Sequence, residues 1–231
     1  MRILTLSGWG QPHNALADIV VDTVPEATHF DYSHYANIED ALTGIAAVAK
    51  NKDAVIGWSL GGQLAVRAIS AGLMRPEKLV LISVPFQFVR SEAIKLGMPR
   101  DVFQKFRDNY EKNASRTLEK AWELIAIGDK NHDHIRAQLA KHTPEDILAK
   151  NWLRWLDMLD GFSCSDLDYS KFPSSLLIHG AQDAVVNYSQ IHEFSKSIPH
   201  NKHIILPDAG HAPHWHDNRA IKQYVDEYLN V

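Results

Sequence analysis

Gly57-Trp58-Ser59-Leu60-Gly61 is the stretch in which residue type and spacing most clearly specify chemistry. It follows a short apolar run, Ala54-Val55-Ile56, and a helix-compatible run begins at once after it. A G-x-S-x-G sequence in strand–turn–helix context is the nucleophile elbow. The bend is tight, and Gly57 and Gly61 leave room where side chains would block it. The amide of Leu60 then lies at the positive end of the new helix, where it can stabilise a developing oxyanion. A serine hydroxyl also needs a base, and the base needs an orienting acceptor. The expected chain order is serine, acid, histidine. His211 occupies a glycine-containing loop, Asp208-Ala209-Gly210-His211-Ala212-Pro213, straight after the last expected strand. Asp183 follows the strand before that one, in Gly180-Ala181-Gln182-Asp183. Ser59, Asp183 and His211 are therefore read as nucleophile, acid and base. Asp208 is the alternative acid, and His214 and His216 are read as surface or capping residues. A second oxyanion donor should come from the loop after the first strand, which assigns the Trp9 amide in Gly8-Trp9-Gly10 beside that of Leu60.

The elements that must hold these residues follow from hydrophobic periodicity. Strands are expected at Arg2–Leu6, Thr28–Tyr32, Ala54–Trp58, Lys78–Val84, Ser175–His179 and Lys202–Leu206. A short helix is expected over Ala15–Val21, and further helices over Ile38–Ala49, Leu60–Ala71, Ser189–Ser197 and about Asn218–Leu229. Alternating strands and helices at these lengths form a mostly parallel sheet with right-handed crossovers. Between the fourth and fifth strands the rhythm breaks. Helical patterning alone covers Arg100–Asn113, Leu118–Ile127, His132–Lys141 and Glu145–Leu159, with Thr143 and Pro144 at the last start. The expected fold class is α/β, about six strands with a four-helix lid over the edge where α/β active sites lie. Residues 1–85 and 171–231 would form the core and residues 86–170 the lid.

Composition narrows the function further. The chain has 231 residues and a formal net charge of −4, which does not favour a nucleic-acid binder. No apolar run approaches the roughly 18 residues of a membrane span. Cys164 is the single cysteine, which leaves no intrachain disulfide and no CxxC metal site. No phosphate-binding glycine motif is present, so no cofactor and no metal are expected; a zinc cluster of His211, His214, His216 and Asp217 is the weaker alternative. The expectation is a cytoplasmic, monomeric enzyme of acyl transfer. Trp58 and the lid side chains Phe103, Phe106, Trp122, Trp152 and Trp155 would line or cover an acyl pocket, with plain packing of lid on core the equal alternative for each.

On these residues the chain resembles the α/β-hydrolases along essentially its whole length. Within them it is most similar to the pimeloyl-[acyl-carrier protein] methyl ester esterases of biotin synthesis. The matching pieces are SGWG at Ser7–Gly10, GWSLGG at Gly57–Gly62, LDMLDGFSCSDL at Leu156–Leu167, HGAQDAVV at His179–Val186 and GHAPHWH at Gly210–His216. The resemblance implies the same triad, Ser59, Asp183 and His211, and the same two amides. Ser7 departs from it, standing where the family commonly has histidine. The resemblance also implies an acyl-carrier-protein partner docked by basic lid residues. Lys105, Lys112, Arg116 and Lys120 recur at helical spacing, with Arg100 and Arg107 nearby, and such a face would steer an acidic partner; Asp108, Glu111 and Glu119 are interleaved with them, and a mixed solvated surface is the equal alternative. The alternatives are a short-chain esterase, thioesterase or aminopeptidase on the same machinery, or a non-catalytic binding protein of this fold.

Overall fold

The structure is a computed structural model that describes residues 1–20, 27–141 and 151–230. Six strands form one sheet: β1 (Ile3–Leu6), β2 (Ala27–His29), β3 (Ala54–Trp58), β4 (Lys78–Ile82), β5 (Ser174–Gly180) and β6 (Asn201–Leu206). Their order is β2-β1-β3-β4-β5-β6, and every pair is parallel. The chain therefore moves one way from β1 to β2, then crosses back to place β3 on the other side of β1. That reversal opens a crevice at the carboxyl ends of β1 and β3, the usual ligand position in open α/β sheets. The pairing Leu6↔Gly57 puts the loop after β1 beside the turn after β3.

The central strands β1, β3, β4 and β5 are mostly apolar because both faces are covered. Alternation divides them between two cores. Leu4, Leu6, Val55, Leu79, Leu81 and Leu177 join one cluster; Ile3, Ile56, Val80, Ile82, Leu176 and Ile178 join the other. The first face is covered by α1 (Ile38–Ala49) and α2 (Leu60–Ser70), through Ile45, Leu64 and Ile69. The opposite face is covered by Ile221, Val225 and Leu229 of the C-terminal helix, Asn218–Leu229. Asn37 caps α1, its side chain accepting from the Asp40 amide at 2.8 Å.

Between β4 and β5 the described helices are α3 (Arg100–Lys112), α4 (Ala114–Ala126), α5 (His132–Leu139) and α6 (Trp152–Gly161). They straddle both cores. Phe103, Leu118 and Trp155 belong to the first; Ile125, Ile135 and Leu139 belong to the second. The remaining helices are α7 (Ile191–Ser197), the one-turn α8 (Pro213–His216) and α9 (Asn218–Leu229). None of the described helices is long and apolar enough to cross a membrane.

Several expected boundaries differ. The second strand is shorter than Thr28–Tyr32 because Asp31 closes a side-chain turn, accepting from the Ser33 amide at 3.0 Å. The expected helix at Ala15–Val21 is a single 3₁₀ turn at Ala17–Ile19, and Val21 lies outside the described residues. The last inserted helix begins at Trp152. Its expected start, with Thr143, Pro144 and Glu145, lies outside the described residues.

Candidate active site

Ser59 stands between β3 and α2 with φ of 52°, a left-handed conformation that a serine adopts only when its surroundings enforce it. A Cβ at Gly57 would meet Gly62 Cα at 2.5 Å, and one at Gly61 would collide with the carbonyls of Leu6 and Ser7. The elbow is thus pressed against the end of β1, and only glycines fit there. The Ser59 amide is anchored to the Ile82 carbonyl at 3.0 Å, while the hydroxyl faces His211.

His211 Nε2 lies 3.1 Å from Ser59 Oγ, and His211 Nδ1 lies 2.7 Å from Asp183 Oδ2. The three residues meet although 152 positions separate serine from histidine. Asp183 follows β5 and His211 follows β6, so the sheet order brings both loops to the edge that carries Ser59. Asp183 has a fully buried side chain. Its Oδ1 accepts from the Val185 and Val186 amides, each at 2.8 Å, and its Oδ2 also faces His179 Nε2 at 3.0 Å. Burial alone would raise this carboxyl. The charge of His211 and the hydrogen bonds of His179 and His211 outweigh it and hold the carboxyl below the ordinary range. An ionised Asp183 fixes the proton on His211 Nδ1 and leaves Nε2 bare toward the serine.

The backbone amides of Trp9 and Leu60 donate to no other group among the described residues. Leu60 begins α2, where the first amides have no intrahelical acceptor. The loop after β1 lies against Ser59: a Cβ at Gly8 would sit 3.5 Å from Ser59 Cβ. Two groups outside the loop hold it. Tyr32 donates its hydroxyl to the Ser7 carbonyl at 2.7 Å, and the Trp9 indole donates to the Trp152 carbonyl at 2.8 Å. Trp9 also packs edge-on against Phe106, Tyr110 and Trp152.

Above Ser59 is a cavity of about 60 Å³, bordered by Gly8, Trp9, Trp58, Phe106, Leu156, His211 and other apolar side chains. Of the six aromatic residues expected to line an acyl pocket, Trp58 and Phe106 do so. Phe103, Trp152 and Trp155 are instead buried in the first core, and half-buried Trp122 packs against both cores. They are large and apolar, and the interface between inserted helices and sheet consumes them. Trp58 has a second contact, its indole donating to the His211 carbonyl at 3.0 Å.

The neighbours of His211 correct the surface reading of His214 and His216. His214 is buried against Trp58 and Trp215, with both ring nitrogens unpartnered, and burial followed by the His211 charge pushes it down to about 3. His216 Nδ1 lies 2.7 Å from Asp129, on the loop between α4 and α5. Asp208 is exposed. The three histidines therefore face different partners and do not converge. Among the expected basic residues, Arg100 pairs with Asp160 and Arg107 with Asp157 and Glu111, each at 2.8 Å. Lys105, Lys112, Arg116 and Lys120 are exposed and form no ion pair among the described residues. Sequence reasoning did not find His179, Tyr32 or Asp129. Only for His179, four residues before Asp183 at the end of a strand, was there a signal in the spacing.

The profile of the alpha/beta hydrolase family matches residues 3–225. Among curated proteins, the pimeloyl-[acyl-carrier protein] methyl ester esterase of Nitrosomonas europaea is 27% identical over 206 residues, covering 87% of this chain and 75% of that protein. The protein of the same name from Xylella fastidiosa strain M12 is 26% identical over 228 residues, covering 91% of this chain and 88% of that protein. Among solved structures, an esterase from Exiguobacterium antarcticum superposes with a TM-score of 0.85 at 14% identity, covering 100% of this chain and 92% of that one. A bromoperoxidase from Bacillus anthracis superposes at 0.75 with 18% identity, covering 100% and 91%. At such identities the structural likeness concerns the fold.

Proposed function

This chain belongs to the alpha/beta hydrolase family, and on that premise we propose that it is a carboxylic ester hydrolase using Ser59, His211 and Asp183. The observation that carries the reading is His211 held between Asp183 at 2.7 Å and Ser59 at 3.1 Å, beneath an apolar cavity. His211 Nε2 takes the hydroxyl proton as Ser59 Oγ bonds to the ester carbonyl carbon. The carbonyl oxygen becomes an oxyanion facing the Trp9 and Leu60 amides. The C–O bond to the alcohol then breaks, and the proton on His211 passes to the departing oxygen. Water next gives a proton to His211 and adds to the acyl carbon. Ser59 Oγ leaves with that proton, and the acid is free. In this reading residues 86–170 act as a lid on a core of residues 1–85 and 171–231.

The finer reading is hydrolysis of a methyl ester on a carrier-bound pimeloyl chain. It is supported by the names of the curated relatives and by the four exposed cations Lys105, Lys112, Arg116 and Lys120, which suit an acidic carrier protein. The cleavage reading is tested with a short p-nitrophenyl ester. S59A should lower turnover by about four orders of magnitude or more, and turnover at the parent rate would overturn the assignment. The carrier reading is tested by growth of a biotin auxotroph lacking its own esterase. Complementation should be lost with S59A and weakened when the four cations are reversed to glutamate.

A further inference from the structure

A second depression lies beside the catalytic cavity. It measures about 490 Å³ and is bordered by Arg90, Leu96, Val102, Asn187 and Tyr188, among others. Met98, Leu124 and Val185 border both spaces. The two differ in kind. The inner cavity, at about 60 Å³, has room for about four water molecules and no lining charge apart from His211. The outer groove is open and much larger. Four of the eight large apolar side chains exposed among the described residues, Leu96, Val102, Leu124 and Tyr188, are gathered in this groove. Single exposed apolar residues need no explanation, but a cluster marks a binding surface.

Charge adds a second constraint. The groove is bordered by two charged residues, Arg90 and Asp183. Asp183 has its carboxylate buried and occupied by His211, His179 and two amides. Arg90 is exposed, spends only Nε on the Gly97 carbonyl at 3.2 Å, and meets no acid among the described residues. Its two terminal nitrogens are available for a bidentate anion. Met98, Leu124 and Val185 therefore stand between the space over Ser59 and a groove bordered by a cation. Of the three bordering side chains, methionine is the unbranched and adaptable one, suited to move aside for a chain.

We propose that the outer groove binds the distal part of the substrate, an ester whose apolar acyl chain runs from Ser59 past Met98, Leu124 and Val185 and ends in an anionic group held by Arg90. The inference rests on the esterase reading and adds the substrate class: a long apolar chain ending in an anion. The inner cavity would hold the reacting ester and its small alcohol. The groove would hold what the cavity has no room for.

Methanol release from three methyl esters tests this: methyl butyrate, methyl octanoate and the ω-phosphonate of methyl octanoate. Methyl butyrate measures the esterase alone, and no turnover of it by the parent protein would refute the underlying reading rather than the groove. Given that turnover, the parent should prefer the phosphonate over methyl octanoate in kcat/KM. R90A should cut that preference about fivefold through KM, an effect that fades with added salt, and R90K should restore part of it. V102E, at a residue that borders the groove and not the cavity, should depress both long esters relative to methyl butyrate. No such preference in the parent, or a preference unchanged in R90A because kcat/KM falls equally or not at all for the three esters, would overturn the groove assignment.

Discussion

Two aspartate–histidine pairs have their histidines, His211 and His216, five residues apart in the segment after β6. In both, histidine Nδ1 lies 2.7 Å from a carboxylate whose side chain has no exposure. Asp183 receives two backbone amides besides its histidines; Asp129 receives the amides of Asn131 and Gly210, each at 2.7 Å. The pairs differ in what lies beyond the imidazole. His211 Nε2 faces Ser59 Oγ, whereas among the described residues the ring of His216 is hydrogen-bonded to Asp129 alone. The carboxylates also come from different places. Asp183 rises from the sheet, and Asp129 comes from the inserted helices, bonding to the amide that immediately precedes His211. A buried Asp–His pair is therefore not itself a catalytic signature. One pair faces a serine hydroxyl, and the other joins the loop between α4 and α5 to the segment that carries His211.

The sharpest way to break this contrast is to remove each imidazole. H211A should lower ester turnover by about four orders of magnitude, while H216A should stay within about tenfold, measured as kcat on a short ester. Equal losses would mean that the second pair takes part in the chemistry. The carboxylates come next. D183N should cost about 10⁴-fold, the size of a tautomer error in serine proteases. D129N should change kcat far less and show itself mainly in melting temperature. D129A goes further, because it leaves the buried Gly210 amide without an acceptor. It should destabilise the fold by about 2–4 kcal/mol, read from chemical denaturation. A stable D129A protein with collapsed kcat would make Asp129 a positioning residue for His211 and narrow the contrast.

The smallest effect concerns His214, which lies between the two pairs in sequence. Its folded value of about 3 lies below the ordinary 6.5. Between these values the unfolded chain binds the proton and the folded chain does not, so stability falls as pH falls through that window. The loss should be about 1.5 kcal/mol on going from pH 6.5 to about pH 5. His214→Leu removes no hydrogen bond from the ring, and it should flatten the dependence of melting temperature on pH over that range. An unchanged slope would assign the acid sensitivity to another group.

Much of the architecture is legible in the chain because it is written in local rules. Runs such as Ala54–Trp58 and Lys78–Ile82 are apolar on both faces and suit only a covered parallel strand. Gly57 and Gly61 mark a bend whose cause is steric and local. Loop positions after successive strands single out Asp183 and His211, the two residues that the fold brings to Ser59. The inserted helices were legible as helices from their periodicity. Their contacts were not, since Phe103, Trp152 and Trp155 carry the same hydrophobic signal whether they face a ligand or a core. The same holds for charge: Arg100 and Arg107 read as free cations until Asp160 and Asp157 are brought against them from α6.

The sequence by itself thus determined the sheet, the elbow and the order of the three chemical groups, because backbone sterics and hydrophobic period act over a few residues. Tertiary structure alone decided which histidine meets which carboxylate, which aromatic side chains face the cavity, and how the helices grip the base loop through Asp129. Those outcomes depend on packing between segments that are as much as 152 residues apart in the case of Ser59 and His211. A hydrogen bond of 2.7 Å leaves no trace in the spacing of the residues that make it.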